Sequence, residues 1–156
     1  MDLRLVLLAL VQTALLGVGA WLTVIDVRTH RLPNRIVLPT LACLLVLAVV
    51  DALVTGRSAS LVRALLAMVI LSGFYAVLRA ISPAGMGGGD VKLAAVIGLV
   101  LGWHGWQELL VGAASAFVLG AIHALVLLAL RRADRTTRIA FGPWMIAGAV
   151  LGVVLG

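Results

Sequence analysis

Six acidic residues stand in a chain of 156, and two of them fall where an ionised carboxylate is costly. Asp26 closes the first apolar run, in "LTVIDVRTHRLPN", and Asp90 opens the fourth, in "GMGGGDVKL". Acids at membrane depth or its edge are expensive and mark functional sites by default. A helical bundle that brings the two within a few ångströms prevents both from ionising cheaply, so the pair shares one proton. One carboxylate then takes a proton from water as that water attacks a peptide carbonyl, and the other donates to the developing oxyanion. That is aspartic-protease chemistry. Pattern alone leaves a plainer reading open, in which each aspartate pairs with a nearby arginine. The remaining acids, Asp2, Asp51, Glu108 and Asp134, lie at predicted span ends or in loops and read as solvated or arginine-paired.

Three glycines, Gly87, Gly88 and Gly89, precede Asp90. Glycine weakens a helix, so three in succession call for a reason. They are expected to allow φ > 0 and the close approach of an extended peptide, with a hinge as the competing reading. A dinucleotide-binding loop is excluded, because no βαβ unit surrounds them. Metal chemistry gains no support. Cys43 is the one cysteine and sits in an apolar run, where it reads as a small buried hydrophobe. Of the histidines, His123 is mid-span and is expected to be neutral and packed, His30 lies in the loop after Asp26, and His104 occupies a turn where it reads as solvated.

The elements that position these groups follow from composition. The chain is 63% hydrophobic and 12% charged, with mean hydropathy +1.22. A soluble domain of this length cannot hide so much apolar surface. The sequence therefore predicts an all-α polytopic membrane protein. The spans are expected at Leu5–Ile25, Ile36–Val54, Ala64–Ile81, Val91–Trp103, Leu109–Leu130 and Ile139–Gly156. The fourth is short, about 13 residues or roughly 20 Å of helix, and needs either a thinned bilayer or glycine backbone held inside the bundle. The connectors are compact, so residues 1–156 read as one bundle of six transmembrane helices with no separate domain.

The cations support that count. Six spans put Arg28, Arg31, Arg35, Arg79, Lys92, Arg131, Arg132, Arg135 and Arg138 on one side, and Arg4, Arg57 and Arg63 on the other. The richer side is expected to be cytoplasmic, with both termini outside and both aspartates at the cytoplasmic boundary. The net charge of +6 is thereby a membrane feature; without a basic face interleaved with aromatics it gives no case for nucleic acid. A cleaved signal peptide is disfavoured by a weak basic region and a long apolar run. Small residues recur at Gly98/Gly102, Gly112/Ala116/Gly120 and Gly148/Gly152/Gly156, a spacing expected to pack the bundle internally.

Three segments carry a resemblance. "GGGD" matches the GxGD motif of intramembrane aspartic proteases, and "GGGDVKLAAVIGLVLG" resembles the second-aspartate segment of prepilin peptidases, the type IV leader peptidases. "DVRTHRLPNRIVLP" looks like their first-aspartate segment, and "RIAFGPWMIAGAVLG" like their closing one, in the family's order. The resemblance implies an enzyme of the inner membrane that cuts the short basic leader from prepilin-like membrane precursors on the cytoplasmic side. It makes Asp26 and Asp90 the catalytic pair and Gly87 and Gly89 the motif glycines, with Gly88 between them and Lys92 in the family's position. Lys92 either favours ionised carboxylates or snorkels to the interface. Pro33 and Asn34 break the chain and start the second span, and Phe141, Gly142 and Pro143 do the same for the sixth. Larger relatives carry a loop with paired CxxC motifs and also methylate the product. This chain has one cysteine and no such loop, so the expectation is proteolysis alone, without metal or other cofactor, in the short form used for Flp-type pilins. A transporter or proton relay through Asp26, Asp90 and His123 is the alternative; it calls for acids near the midplane.

Overall fold

The structure is a computed structural model that describes residues 3–29, 32–83, 86–131 and 140–156. Those residues form six α-helices: α1 (Leu3–Thr29), α2 (Asn34–Thr55), α3 (Ser58–Ile81), α4 (Gly88–His104), α5 (Trp106–Ala129) and α6 (Gly142–Leu155). The all-α reading and the number of helices hold. Leu10–Thr29, α2, α3 and α5 are each long and apolar enough to cross a bilayer.

The helices end where the punctuation residues stand. Pro33 is the N-cap of α2 in an extended conformation, and Pro143 lies in the first turn of α6, positions where a missing N–H costs nothing. Between α2 and α3 the chain turns at Gly56, whose φ of 70° is the left-handed conformation that closes helices. Gly105 alone joins α4 to α5. Several boundaries differ from expectation. α1 continues to Thr29, which places Asp26 inside the helix rather than at its end; α3 begins at Ser58, which brings Arg63 into it. α4 includes Gly88, Gly89 and Asp90 and reaches 17 residues, about 26 Å. His30, Arg31, Arg132, Asp134, Arg135, Arg138 and Ile139 lie outside the described residues.

The central helix is α4. Leu93, Ala94, Val96, Ile97, Leu99 and Leu101 are all buried, and positions so close in sequence face every direction around the axis. A helix apolar all round belongs in a core. Its neighbours are α2, α3, α5 and α6, while α1 joins the bundle through α6. This placement accounts for the short fourth span, because a helix sheathed by protein has no hydrocarbon thickness to match. Around it the outer surface is aliphatic: Leu53 and Val54 are 79% and 80% exposed, as a lipid-facing wall requires. Cys43 belongs to that wall. It is exposed, a correction to its expected burial, because α2 turns its other side toward α4.

The small residues pack helices against one another, as expected. A Cβ at Gly98 would stand 2.6 Å from the Ala67 carbonyl oxygen, and one at Gly102 would run into Ala67 and lie 3.0 Å from the Ala64 Cα. Along α5 and α6, a Cβ at Gly148 would meet the Gly112 carbonyl at 2.5 Å, and one at Gly152 the Glu108 carbonyl at 2.6 Å. Backbone contact at that distance is how helices associate in lipid, where no hydrophobic force separates them from the tails.

Arg63 ties off the far end of α4. Its Nε donates to Gly102 O at 2.7 Å, and its Nη2 to Trp103 O at 2.9 Å and His104 O at 3.0 Å. Those carbonyls have no helical donor, and a cation suits the negative end of the helix dipole. His104, expected to be solvated, is exposed and also bonds Gln12 through Nε2 at 3.0 Å and Val100 O through Nδ1 at 2.9 Å. Arg63→Ala is expected to destabilise the bundle by about 2 kcal/mol, the net contribution of a hydrogen bond to a charged group being roughly 1.5–3 kcal/mol. Thermal unfolding in detergent measures it, and an unchanged midpoint contradicts the capping role.

Candidate active site

The end of the bundle opposite Arg63 collects the N-termini of α2, α4 and α6 and the C-termini of α1, α3 and α5. Asp26 and Asp90 are both there, and both are buried, at 4% and 7% exposure. Each is held in the same way. Asp26 Oδ2 accepts the N–H of Gly142 at 3.0 Å, the first residue of α6. Asp90 Oδ2 accepts the N–H of Gly87 at 2.9 Å, the N-cap of α4. Asp90 thus forms one half of a capping box; Gly87 has no side chain to supply the other half, and its carbonyl takes the Asp90 N–H at 3.2 Å. Two helix N-termini converge on two carboxylates. Their unpaired N–H groups and positive dipole ends offset part of the cost of burying negative charge.

The two carboxyl groups are near enough for their charges to interact, and Arg79 also reaches Asp90 through its charge. Both acids are thus buried at one end of the bundle, and among the described residues the Arg79 guanidinium lies beside the first turn of α4. An apolar recess of about 280 Å³ opens between α1, α2, α4 and α6. Leu22 and Leu93, each one turn from an aspartate, help to form its wall.

The three glycines do something other than expected. None has a positive φ; among described glycines only Gly56 does. Gly87 is an extended N-cap with φ −73°, and Gly88 and Gly89 are helical. Their missing side chains leave room for the protein's own atoms. A Cβ on Gly89 would lie 2.6 Å from the Leu32 Cβ and 3.3 Å from its backbone N, one on Gly87 would press on Asp90 Oδ2 at 3.2 Å, and one on Gly88 would run into the Arg79 guanidinium. The gap anticipated for a peptide is filled by Leu32 and Arg79. Helix packing at the site, rather than an unusual backbone conformation, accounts for the run.

Lys92 and Asn34 meet across the bundle. Lys92 Nζ donates to Asn34 Oδ1 at 2.7 Å, tying α4 to the start of α2 immediately after Pro33. Neither sequence reading of Lys92 anticipated this bond. His123 is half-buried on α5, its ring 4.8 Å from that of Trp144, consistent with packing. Gly142 was read only as a helix start. A Cβ there would stand 2.6 Å from Asp26 Oδ2, so its lack of a side chain is what admits the carboxylate. The Phe-Gly-Pro triplet was the visible signal: Pro143 has no N–H, which leaves that of Gly142 to serve the acid. No cluster of three or more potential metal ligands occurs among the described residues.

Residues 13–125, which include both aspartates, match the model of the type IV leader peptidase family. The chain belongs to that family. Among curated relatives, it is 32% identical over 136 residues to the prepilin leader peptidase/N-methyltransferase of Pectobacterium carotovorum subsp. carotovorum, covering 86% of this chain and 47% of the relative. The protein of that name from Stutzerimonas stutzeri is 36% identical over 135 residues, 83% of this chain and 44% of its own length. The one from Escherichia coli K12 is 34% identical over 132 residues, with coverages of 85% and 57%. The chain spans about half the length of the curated relatives it matches. No solved structure matches it. As a type IV leader peptidase family member with these apolar helices, it is a multi-pass membrane protein.

Proposed function

We propose that this protein is a membrane-embedded aspartic endopeptidase. It removes the short basic leader from type IV prepilin-like precursors, pilins, pseudopilins or Flp-type subunits, using Asp26 and Asp90 to activate water. The observation that carries the reading is the pair itself: two buried carboxylates on separate helices, each with one oxygen held by a helix N-terminus, close enough to interact. Such a pair is suited to hold one proton between two groups, which is the acid and base that amide hydrolysis needs.

In the proposed reaction the ionised member takes a proton from water as its oxygen attacks the scissile carbonyl carbon. The protonated member gives its proton to the carbonyl oxygen, and a neutral tetrahedral gem-diol results. Collapse breaks the C–N bond, the leaving nitrogen takes a proton, and the leader departs with a new carboxyl group. Gly87 and Gly142 keep one oxygen of each carboxyl fixed, so less reorganisation accompanies the reaction. The apolar recess, which begins one turn inside the pair at Leu22 and Leu93 and runs along the bundle toward Gln12 and Val154, suits a precursor whose cut site adjoins a hydrophobic helix. By the arginine distribution the pair faces the cytoplasm from the inner membrane, with both termini outside, in a single bundle.

The compound name of the relatives joins two activities, and the proposal covers cleavage alone. The protein incubated in membranes with a prepilin-like precursor is expected to release the leader and leave a free amine on the mature N-terminus, read by intact mass. A product that is methylated, when a methyl donor is present, contradicts the restriction to proteolysis. An uncut precursor contradicts the function.

A further inference from the structure

The chain has one tyrosine, and its ring is buried in the bundle. Tyr75 lies on α3 and is 1% exposed, among the largest fully buried side chains. The register between α3 and the antiparallel α4 is pinned at three levels: Gly102 against Ala64, Gly98 against Ala67 and Gly88 against Arg79. One turn inward from Arg79, that register brings Tyr75 level with the first turn of α4, where Asp90 stands. The Asp90 charge reaches the phenol, as close placement requires.

The ring has a second connection. Its centroid lies 5.6 Å from that of Phe117 on α5, 5.8 Å from that of Phe74 and 6.0 Å from that of Phe141. Phe141 immediately precedes Gly142, whose N–H holds Asp26. One side chain therefore braces the turn that fixes one aspartate and stands level with the other. Packing alone would be served as well by phenylalanine, which the chain uses at the three neighbouring ring positions. A buried phenol O–H without a polar task lowers stability.

We propose that Tyr75 is a positioning residue of the peptidase site. Its O–H donates a hydrogen bond to the Asp90 carboxyl oxygen that Gly87 does not hold, orienting that carboxyl for reaction when substrate occupies the site. No proton is transferred. The phenol stays protonated and fixes the carboxyl plane, a bond that tightens in the substrate complex. The inference rests on the aspartic-peptidase reading above.

Tyr75→Phe tests it, because the variant keeps the ring and all its aromatic neighbours and removes one oxygen. In the intact protein in membranes, with a prepilin-like precursor, kcat is expected to fall about 10- to 100-fold, the effect of losing one hydrogen bond to a charged group. KM and the thermal midpoint should remain at the wild-type values. Tyr75→Leu, which removes ring and hydroxyl, should lose both turnover and stability. A Tyr75→Phe enzyme with kcat within twofold of wild type overturns the proposal, and so does a fall in activity matched by a fall in midpoint. Asp90→Asn in the same assay separates the two levels. If Asp90→Asn is inactive while Tyr75→Phe is normal, only the role of Tyr75 fails; if Asp90→Asn still cleaves, the aspartic reading fails.

Discussion

Gly89→Ala is expected to abolish or nearly abolish activity, while Gly88→Ala, one residue earlier in the same run, should be tolerated. The difference lies in what each methyl group meets. At position 89 the methyl would press on the Leu32 Cβ at 2.6 Å and approach its backbone N at 3.3 Å. Leu32 is itself buried, so no flexible end can move aside. Relief requires the first turn of α4 to shift away from the segment that joins α1 to α2, and Asp90 shifts with it. A displacement of about 1 Å at a reacting group costs on the order of 100-fold in rate. At position 88 the methyl meets the guanidinium of Arg79, the far end of a long side chain that is exposed. It can swing outward for about 1 kcal/mol or less. Parallel cleavage assays with expression-matched membranes read the contrast. Equal losses in both variants would mean that the glycines serve backbone freedom rather than packing.

This contrast marks where the sequence was legible. The two buried acids stood out because so few acids are present and these two interrupt apolar runs. The count of six helices followed from hydropathy and arginine placement. The glycine run was equally visible, but a missing side chain does not say what fills its space. The occupants, Leu32 and Arg79, belong to segments whose approach only the fold specifies. Lys92 was weighed against the carboxylates because they are its neighbours in sequence; its bond to Asn34 crosses the bundle. The partners of Gly142 and Arg63 were hidden for the same reason, although the Phe-Gly-Pro triplet marked Gly142 itself. Each meets its partner, Asp26 Oδ2 or the last carbonyls of α4, through contacts between helices. The length of α4 was underestimated because hydropathy ends at Asp90, whereas the helix begins at Gly88 and draws in the acid that its first N–H groups accommodate.

Asp26→Asn and Asp90→Asn are expected to have the largest effects of any single substitutions. Asparagine keeps the size of the side chain and an oxygen that can still accept from Gly142 or Gly87, so the fold should be unaffected. It neither takes a proton from water nor donates one as an acid. General acid–base catalysis contributes about 10²–10⁴-fold per group, and loss of either member disables both halves of the proton exchange. Each variant should therefore be at least about 1,000-fold slower than wild type. The double variant should be hardly slower than either single one, because groups that act as a unit give strongly non-additive losses. Separate structural roles would instead give losses that multiply and midpoints that fall.

The most direct measurement uses the purified chain in liposomes, without other membrane proteins, and follows release of the leader from a prepilin-like precursor by intact mass. The account predicts cleavage at the junction between leader and apolar helix by the wild-type chain. It predicts less than about 0.1% of that rate for Asp26→Asn and for Asp90→Asn at unchanged thermal midpoints. Cleavage retained by either variant, or none by a wild-type chain that is folded and inserted, would contradict it.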